Sequence, residues 1–526
     1  MNTTIENTNE MSKLQATLWF WAVTLSFAGL WLILPSLLYS SYKGDTVELQ
    51  FIGKEWVLAT THHMMLSAWM LEITNILTNR AFAAPFIISA CCTIAMLFSI
   101  WQLARNVLPE RLALVATFVM LPYLPLTLKS ALYNPNTALM VFWVLSTMSF
   151  YYAFQTNKKH WWIAAGLTLG LGLHAKYTMI ILAFAVLFYS LWFTRFRRYW
   201  KESGPWLTVL ISFAIFLPHL IWLYQMDFAT IRYASGAMSE RPITGGWVDH
   251  LLCPIVFALG NLGLLLLSPI LLLIPCLGWR WKRRLPKNET ERETLNYLLC
   301  CMIVPFLILA IAVGMQECVR TTYGFPLWFF LGVYLLLRFQ HREDGVNFVR
   351  SMKWIVFAVL PFVLIFIIQA LYGPHITGKP SHYHEPMREL GAECDRIWSD
   401  RFSDSPCLYI TGDWRMAGNA AIVMKDRPSV LFYWGIGNPN AVPTSTWATD
   451  EDVNQKGGII LWEAAEQVPD WVLRRFPNAE VLPEILELPY KTSANVPPLQ
   501  IGIAIVPPPG IGITSNFQIN QPKPLF

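Results

Sequence analysis

Long apolar segments alternate with short polar connections from the start of the chain to residue 372. A helix needs roughly 20 mostly apolar residues to cross a bilayer. By this criterion the chain contains about eleven candidate spans, at 16–38, 84–104, 111–127, 137–154, 161–175, 177–194, 206–224, 251–279, 295–314, 325–338 and 354–372. The pattern predicts a polytopic α-helical membrane protein.

The apolar pattern changes after residue 372. Its runs shorten to strand length in "CLYITG", "SVLFYW", "GIILWE" and "IGIAIV", and helix-like stretches at 384–403 and 464–475 lie between some of them. Strands that alternate with helices predict an α/β domain. We therefore divide the chain into a transmembrane domain, 1–372, which includes a first external loop at 40–83, and a soluble α/β domain, 373–526.

The composition agrees with a membrane protein. The chain has 526 residues, of which 55% are hydrophobic and 14% are charged, and its mean hydropathy is +0.41. Soluble domains carry about a quarter charged residues, so the composition argues against a soluble enzyme with a large core. The formal net charge of +5 is small, and nothing in its distribution indicates a nucleic-acid partner.

Lysine and arginine concentrate in alternate connections between the predicted spans. The rich connections are 105–111, 158–159, 195–201, 280–287 and 338–353. Cytoplasmic connections carry the excess of basic residues in membrane proteins. We therefore expect a cytoplasmic N-terminus and a domain 373–526 that lies on the opposite side of the membrane.

The first external loop begins with acidic residues at helical spacing. Leu49, Ile52 and Trp56 predict an apolar stripe, flanked by Asp45 and Glu48, on a helix that lies in the membrane interface. Residues three apart share a helix face, so the two carboxylates are candidates for one site. The alternative is that they are acids which suit a helix N-terminus.

Two adjacent histidines, His62 and His63, follow in the same loop. Neighbouring side chains diverge on a helix or a strand, so the pair is a poor metal chelate even with Glu72 nearby. An interfacial pair is the favoured interpretation, and binding of an anion such as phosphate is a further one. Cys394 and Cys407 fall in the predicted outer domain, where an oxidising compartment permits a disulfide, but spacing alone does not decide whether they pair.

Three cations, Lys129, Lys176 and Arg320, lie at span ends on the side that carries few basic residues. A cation near the membrane usually has an anionic partner, although each side chain alone could extend to lipid head groups. Three together favour a shared anionic ligand such as a lipid phosphate. Asn134 and Asn136 are both candidates for the N-cap of the next span.

Eight short motifs keep the order of a known superfamily. They are "DTVE", "HHMMLSAW", "YNPNTALMVFW", "AKY", "PHLIWLYQMDFATIRYA", "YGFPLW", "GDWRMAGNAA" and "RPSVL". The ordered set resembles the GT-C membrane glycosyltransferases, in the branch that holds bacterial lipid A aminoarabinose and galacturonic acid transferases, including the Rhizobium-type enzymes, and protein O-mannosyltransferases.

The resemblance implies inverting transfer of a sugar from a polyprenyl-phosphate donor to lipid A, its core or another surface glycan, at the periplasmic face of a bacterial inner membrane. It implies Asp45 as general base with Glu48 secondary, and donor-phosphate binding by Lys176, Arg320, Lys129 and His62. The substrate-binding residues that it implies are His63, Tyr133, Asn134, Asn136, Tyr177, Asp227, Arg232 and Tyr323. No cofactor follows with certainty, and a divalent metal stays open.

The sequence departs from the family pattern at two places. Thr46 replaces an acidic residue, and His62, Met64 and Met65 stand where the family has a Lys-Pro-Pro element. Two alternatives therefore stay open. One is a transporter or flippase of lipid-linked sugars, although the chain shows no internal repeat of the kind common in transporters, and the other is a non-catalytic relative.

Overall fold

The computed structural model describes residues 11–60, 64–232, 246–266, 270–272, 274, 282–316, 320–340, 347–438, 441, 443–464 and 468–509. Internal contacts divide the chain into two compact units. The helix unit comprises Met1–Ile33 and Phe86–Ile365, and the sheet unit comprises Leu34–Pro85 and Phe366–Phe526. The division from sequence assigned the loop at 40–83 to the transmembrane domain, whereas its contacts group it with the C-terminal sheet.

The first part of the chain is helical. Its described α-helices are α1 (Lys13–Leu38), α2 (Asp45–Gly53), α3 (Leu66–Leu77), α4 (Ala84–Ala104), α5 (Glu110–Phe118), α6 (Pro135–Thr156), α7 (Lys159–Ala175), α8 (Met179–Trp192), α9 (Thr194–Arg197), α10 (Ser203–Gln225), α11 (Asp249–Leu265), α12 (Glu289–Gln316), α13 (Leu331–Arg338) and α14 (Phe348–Thr377). Helices α2 and α3 belong to the sheet unit, and the boundary between the units falls within or at the start of α1, α4 and α14.

The polytopic membrane fold is confirmed, but the number of spans is not. Among the described residues, 6 helices are long and apolar enough to cross a membrane, namely α1, α4, α6, α10, α12 and α14. A seventh span results if α8 and the bent segment after it count as one. The shortfall against about eleven arises because several predicted spans are short or interrupted.

Proline accounts for two of the interruptions. The span expected at 111–127 ends as α5 at Phe118, and a short 3-10 turn, Leu124–Leu126, contains Pro125. The span expected at 325–338 begins as a 3-10 segment, Thr321–Trp328, which contains Pro326 and precedes α13. Proline lacks an N–H and disfavours the interior of an α-helix, and at these two places a 3-10 segment forms, whereas α1, α10 and α12 continue through Pro35, Pro218 and Pro305.

The arginine-rich connections meet at one end of the helix unit. Arg195 contacts Glu293 at 2.5 Å, and Arg284 contacts Glu291 at 2.8 Å. Arg338 donates to the carbonyl oxygen of Arg284 at 2.5 Å, beside the paired strands β1 (Lys282–Arg283) and β2 (Phe339–Gln340). Connections that the charge pattern assigned to one side of the membrane therefore contact one another. The assignment of that side to the cytoplasm stays a prediction.

The sheet unit contains a six-stranded mixed sheet with helices around it. The strands are β3 (Tyr409–Gly412), β4 (Ser429–Leu431), β5 (Gly458–Glu463), β6 (Glu480–Val481), β7 (Leu486–Leu488) and β8 (Leu499–Val506). Their order is β4-β3-β5-β8-β6, with β7 also paired to β8. β3 runs parallel to β4 and β5, and β8 is antiparallel to its neighbours. Each of the four apolar runs noted in the sequence contains one strand.

Four α-helices complete the described part of this unit: α15 (Met387–Arg401), α16 (Trp414–Val423), α17 (Asp450–Lys456) and α18 (Asp470–Arg475). Cys394 and Cys407 are both buried within the unit, and both are free thiols. The disulfide that the sequence left open is therefore not formed in this structure.

The motif "GDWRMAGNAA" joins β3 to α16. Gly412 has φ +113°, and a Cβ there would lie 1.8 Å from the carbonyl oxygen of Leu461, so only glycine fits. Asp413 then caps α16, because its side chain accepts the backbone N–H groups of Arg415 and Met416, each at 3.0 Å. The motif thus ends a strand and starts a helix within two residues.

The same motif holds α2 against α16. A Cβ on Gly418 would lie 2.6 Å from Cγ1 of Val47 and 2.8 Å from Cδ1 of Phe51. The lack of a side chain at Gly418 therefore lets the two helices pack closely. Asn419 donates to Oγ of Ser41 at 3.4 Å. The helix that begins at Asp45 is thereby packed onto the C-terminal domain.

We expect Gly418→Ala to lower the apparent Tm of the purified full-length protein by several degrees. Helix propensity alone would favour alanine by about 1 kcal/mol, but the new methyl group overpacks a stiff contact, which costs roughly 1–3 kcal/mol. Gly373→Ala in α14 is the matched control, because a Cβ there meets nothing within 4 Å. An equal or higher Tm for Gly418→Ala would contradict the close packing.

Candidate active site

Lys176 lies at the C-terminal end of α7, on the side of the helix unit that carries few basic residues. Its Nζ donates to Oδ1 of Asn136 at 2.7 Å and lies 4.3 Å from the ring centroid of Tyr323. The three residues come from separate parts of the chain, and all three were predicted site residues. The amide oxygen of Asn136 and the ring of Tyr323 orient the ammonium group.

The start of α6 fixes Asn136. Oδ1 of Asn134 accepts the backbone N–H groups of Asn136 at 2.8 Å and Thr137 at 3.2 Å, which makes Asn134 the N-cap. Pro135 takes the first helical position, where its missing N–H costs nothing. Asn134 therefore has a structural role, and Asn136 presents its side chain to Lys176.

The segment Thr321–Trp328 fixes Tyr323. The backbone N–H of Tyr323 donates to the carbonyl oxygen of Arg320 at 3.0 Å, and Arg320 itself is exposed at the start of the segment. Trp328 donates its indole N–H to Oδ1 of Asn261 at 3.1 Å. The aromatic ring beneath Lys176 is thus supplied by an anchored turn.

Tyr177 and His219 form a second polar pair of the helix unit. The Tyr177 hydroxyl and Nε2 of His219 are 2.8 Å apart, and the rings of His219 and His174 have centroids 5.8 Å apart. His219 is fully buried within α10. The sequence analysis assigned it no role, although a histidine inside an apolar span is a signal for function.

The other predicted residues of the helix unit are not in this cluster. Tyr133 is fully buried, and Lys129 is exposed in the turn before α6. Asp227 and Arg232 form an ion pair with one another, and both side chains are largely exposed. The hydrogen bond from Lys176 to Asn136 and its contact with the Tyr323 ring involve none of these four side chains.

The two candidate carboxylates belong to the sheet unit and have different surroundings. Asp45 is the first residue of α2 and is exposed, whereas Glu48 is only 2% exposed. Residues 46–53 of α2 are all buried, because α3 and α16 pack against the helix. The predicted apolar stripe is therefore wrong in detail. Trp56 lies beyond the end of α2 and is exposed, and Glu48 is buried rather than at the edge of an exposed face.

The segment before Asp45 is held by residues that precede α15. The backbone N–H and hydroxyl of Ser40 donate to the carbonyl oxygen of Tyr383 at 2.9 and 2.8 Å. The hydroxyl of Ser41 donates to the carbonyl oxygen of His382 at 2.8 Å, and the rings of Tyr39 and Tyr383 stack with centroids 4.0 Å apart. The position of Asp45 thus depends on the C-terminal domain.

Glu72 forms a buried ion pair with Arg427. The two guanidinium nitrogens of Arg427 donate to Oε1 and Oε2 of Glu72 at 2.7 and 2.8 Å. Asn75 donates to the same carboxylate at 3.2 Å and to Gln50 at 2.6 Å, and the ammonium group of Lys54 binds the carbonyl oxygen of Arg427. Sequence reasoning missed this network, although Arg427 begins the motif "RPSVL".

Glu72 does not support a metal site in the first loop, because both of its carboxylate oxygens bind Arg427. His62 and His63 lie outside the described residues. Among the residues that the structure does describe, no three His, Cys, Asp or Glu side chains converge on a point where a metal ion could bind.

Comparisons with known proteins relate the chain to glycosyltransferases. Residues 62–222 match the family described as dolichyl-phosphate-mannose-protein mannosyltransferase. The lipopolysaccharide core galacturonosyltransferase RgtB of Rhizobium johnstonii is 24% identical over 381 residues, which are 69% of this chain and 73% of that protein. RgtA of the same organism is 21% identical over 278 residues, 51% of this chain and 53% of that protein.

Solved structures show the same fold. ArnT from Cupriavidus metallidurans bound to undecaprenyl phosphate superposes with a TM-score of 0.56 at 12% identity, over 95% of this chain and 100% of that one. The apo form of ArnT gives 0.57 at 12% identity, over 93% and 97%. The ordered motifs and these matches agree. Together they support a GT-C membrane glycosyltransferase.

Three residues that depart from the family pattern lie in the protein interior. Met64 and Met65, which stand where the family pattern has two prolines, are buried, and so is Thr46. The replaced positions are packed rather than open. Met64 and Met65 are therefore unsuited to the phosphate-binding role that the resemblance gave to this loop.

The ion pair makes a pH-dependent contribution to the stability of this glycosyltransferase. Burial alone would raise the pKa of Glu72, but the hydrogen bonds from Arg427 and Asn75 outweigh it and hold the pKa below its usual value. A depressed native pKa gives stability that is complete above the unfolded value of about 4.3 and is lost as the pH falls through the native pKa.

We expect Glu72→Gln to destabilise the protein at pH 7 by about 3 kcal/mol, because it leaves the Arg427 charge without its anion. It should also flatten the loss of stability on acidification. Apparent Tm measured from about pH 7 to pH 3.5 tests both. Glu451→Gln, at an exposed position of α17, is the matched control, and equal Tm profiles for the two variants would contradict the role of the pair.

Proposed function

We propose that this protein transfers one sugar, with inversion, from a polyprenyl-phosphate donor to a hydroxyl group of lipid A, its core or another surface glycan, at the periplasmic face of the inner membrane. The observation that carries the proposal is Lys176, held by Asn136 and Tyr323. Support for the donor comes from ArnT, solved with undecaprenyl phosphate, and support for the acceptor comes from RgtB, a lipopolysaccharide core transferase.

The positive charge of Lys176 is proposed to stabilise the leaving group, the polyprenyl phosphate. In the transfer, the acceptor oxygen forms a bond to the anomeric carbon while the bond from that carbon to the phosphate oxygen breaks. The departing polyprenyl phosphate gains negative charge, and a fixed ammonium group stabilises it most strongly in the transition state. We assign additional roles on the phosphate to Arg320, Lys129 and His62.

Asp45 is the proposed general base. The acceptor hydroxyl must lose its proton as it attacks, and a carboxylate within hydrogen-bond reach accepts it. Asp45 is exposed at the start of α2, whereas Glu48 is buried in the same helix, which favours Asp45 for contact with an acceptor.

The sugar is proposed to be a hexuronic acid. Both relatives are named as galacturonosyltransferases. A uronic acid carries a carboxylate, and Arg320, exposed three residues before Tyr323, is a suitable partner because its guanidinium can bind a carboxylate in bidentate fashion. Asn136, Tyr177 and Tyr323 are proposed to contact the sugar, while His63, Tyr133, Asp227 and Arg232 stay weaker candidates.

Purified protein incubated with labelled polyprenyl-phosphate sugars and a lipid A–core acceptor tests the function. The proposal requires label on the acceptor, with galacturonic acid preferred over a neutral hexose. Movement of the donor across a liposome membrane without transfer would instead indicate a flippase. The absence of both transfer and movement would indicate a non-catalytic relative.

We expect Asp45→Asn to lower kcat by roughly 10²–10⁴-fold, the usual contribution of a general base, with little change in donor KM. Asp470→Asn is the matched control, because Asp470 is likewise an exposed first residue of a short helix, α18, in the same unit. The variants should share the Tm of the native protein. Full transfer activity in Asp45→Asn would remove Asp45 from the base role.

We expect Lys176→Ala to raise the KM for the donor about tenfold or more, because a charge-assisted contact contributes about 1.5–3 kcal/mol. Lys159→Ala is the matched control at the opposite end of the same helix, α7, where the side chain is exposed. Steady-state kinetics with varied donor separate KM from kcat. An unchanged kcat together with an unchanged donor KM, at native Tm, would contradict the phosphate role.

A further inference from the structure

A cleft of about 820 Å³ lies in the sheet unit, and its lining includes none of the residues assigned to the sugar transfer. Its walls are the end of α1 with Tyr39, a turn of α14 from Ala370 to Tyr372, the first residues of α15 and the loop 491–493. Two membrane-length helices and the first turn of α15 thus border one cavity.

The helix walls of the cleft are apolar and open. Leu37 is 76% exposed and Leu371 is 44% exposed. Both residues line the cleft and belong to helices long and apolar enough to span a membrane. Such side chains at a cavity mouth are suited to contact with the acyl chains of a lipid.

Tyrosines of the cleft indicate its level relative to a membrane. Tyr39 and Tyr372 line it, and Tyr39 stacks on Tyr383. Tyrosine is enriched where membrane helices leave the hydrocarbon and enter the head-group layer. The cleft therefore opens at the level where lipid phosphates lie.

The polar wall of the cleft carries two cations and one acid. Lys491 contacts Glu389 at 2.5 Å, so these two charges largely cancel. Arg388 is exposed and lies over the ring of Phe82, 5.5 Å from its centroid. No acidic side chain in the described part of the chain lies within 4.0 Å of its guanidinium group. The remaining positive charge is that of Arg388.

We propose that this cleft binds the phosphate group of an anionic membrane lipid, with Arg388 on the phosphate and the ends of α1 and α14 along the acyl chains. A guanidinium group matches a phosphate in charge and in its paired donors. Ser493, whose hydroxyl is 3.0 Å from Nε2 of His375, adds a neutral donor. The proposal does not rest on the transfer reaction, because it assigns the cleft no catalytic residue.

Native mass spectrometry of the full-length protein in mixed micelles tests the site. The probes are phosphatidylglycerol, phosphatidylcholine and inorganic phosphate. We expect the native protein to retain phosphatidylglycerol in preference to phosphatidylcholine, and Arg388→Gln to weaken that binding about tenfold. Arg474→Gln, at an exposed arginine of α18 that does not line the cleft, should bind like the native protein.

Two further measurements keep the test decisive. Binding of phosphatidylglycerol to the native protein should weaken as salt is raised, since exposed charges are screened, and this result requires no variant to fold. Inorganic phosphate that competes at equal concentration would identify a free-phosphate site rather than a lipid site. Equal retention of both lipids, or native-like binding by a folded Arg388→Gln, would overturn the proposal.

Discussion

One bidentate ion pair, between Glu72 and Arg427, ties the first long loop to the C-terminal sheet. Its partners are 355 residues apart, so the chain gives up considerable conformational freedom to bring them together. Once buried, neither charge can lose the other without a large penalty. Helix α3 is thereby fixed, α2 packs between α3 and α16, and the exposed Asp45 begins a helix that the C-terminal domain holds in place.

The protein holds its other important charge in a different way. Glu72 is neutralised by an arginine, whereas the known partners of Lys176 are an amide oxygen and an aromatic ring. The amide and the ring orient the ammonium group of the lysine that we propose for donor recognition.

The departures from the family pattern have a common physical feature. Thr46, Met64 and Met65 are all buried, so three of the four replaced positions face the protein interior, and the fourth, His62, lies outside the described residues. An acid at position 46 would need its own partner inside such packing. The chain instead fills these positions with small or apolar groups, and the catalytic and phosphate-binding duties that we propose fall on Asp45 and Lys176.

The sequence by itself determined the membrane class, the strand positions of the C-terminal domain and the resemblance to the superfamily, because hydropathy, strand length and motif order are local properties. It also named Asn136, Lys176 and Tyr323, which the structure brings into contact. Tertiary structure decided what depends on distant partners. It separated Asp45 from Glu48 by burial, paired Asp227 with Arg232, made Asn134 the helix cap and joined Glu72 to Arg427. Periodicity places a side chain on a face, but only the packing of the whole chain decides what covers that face.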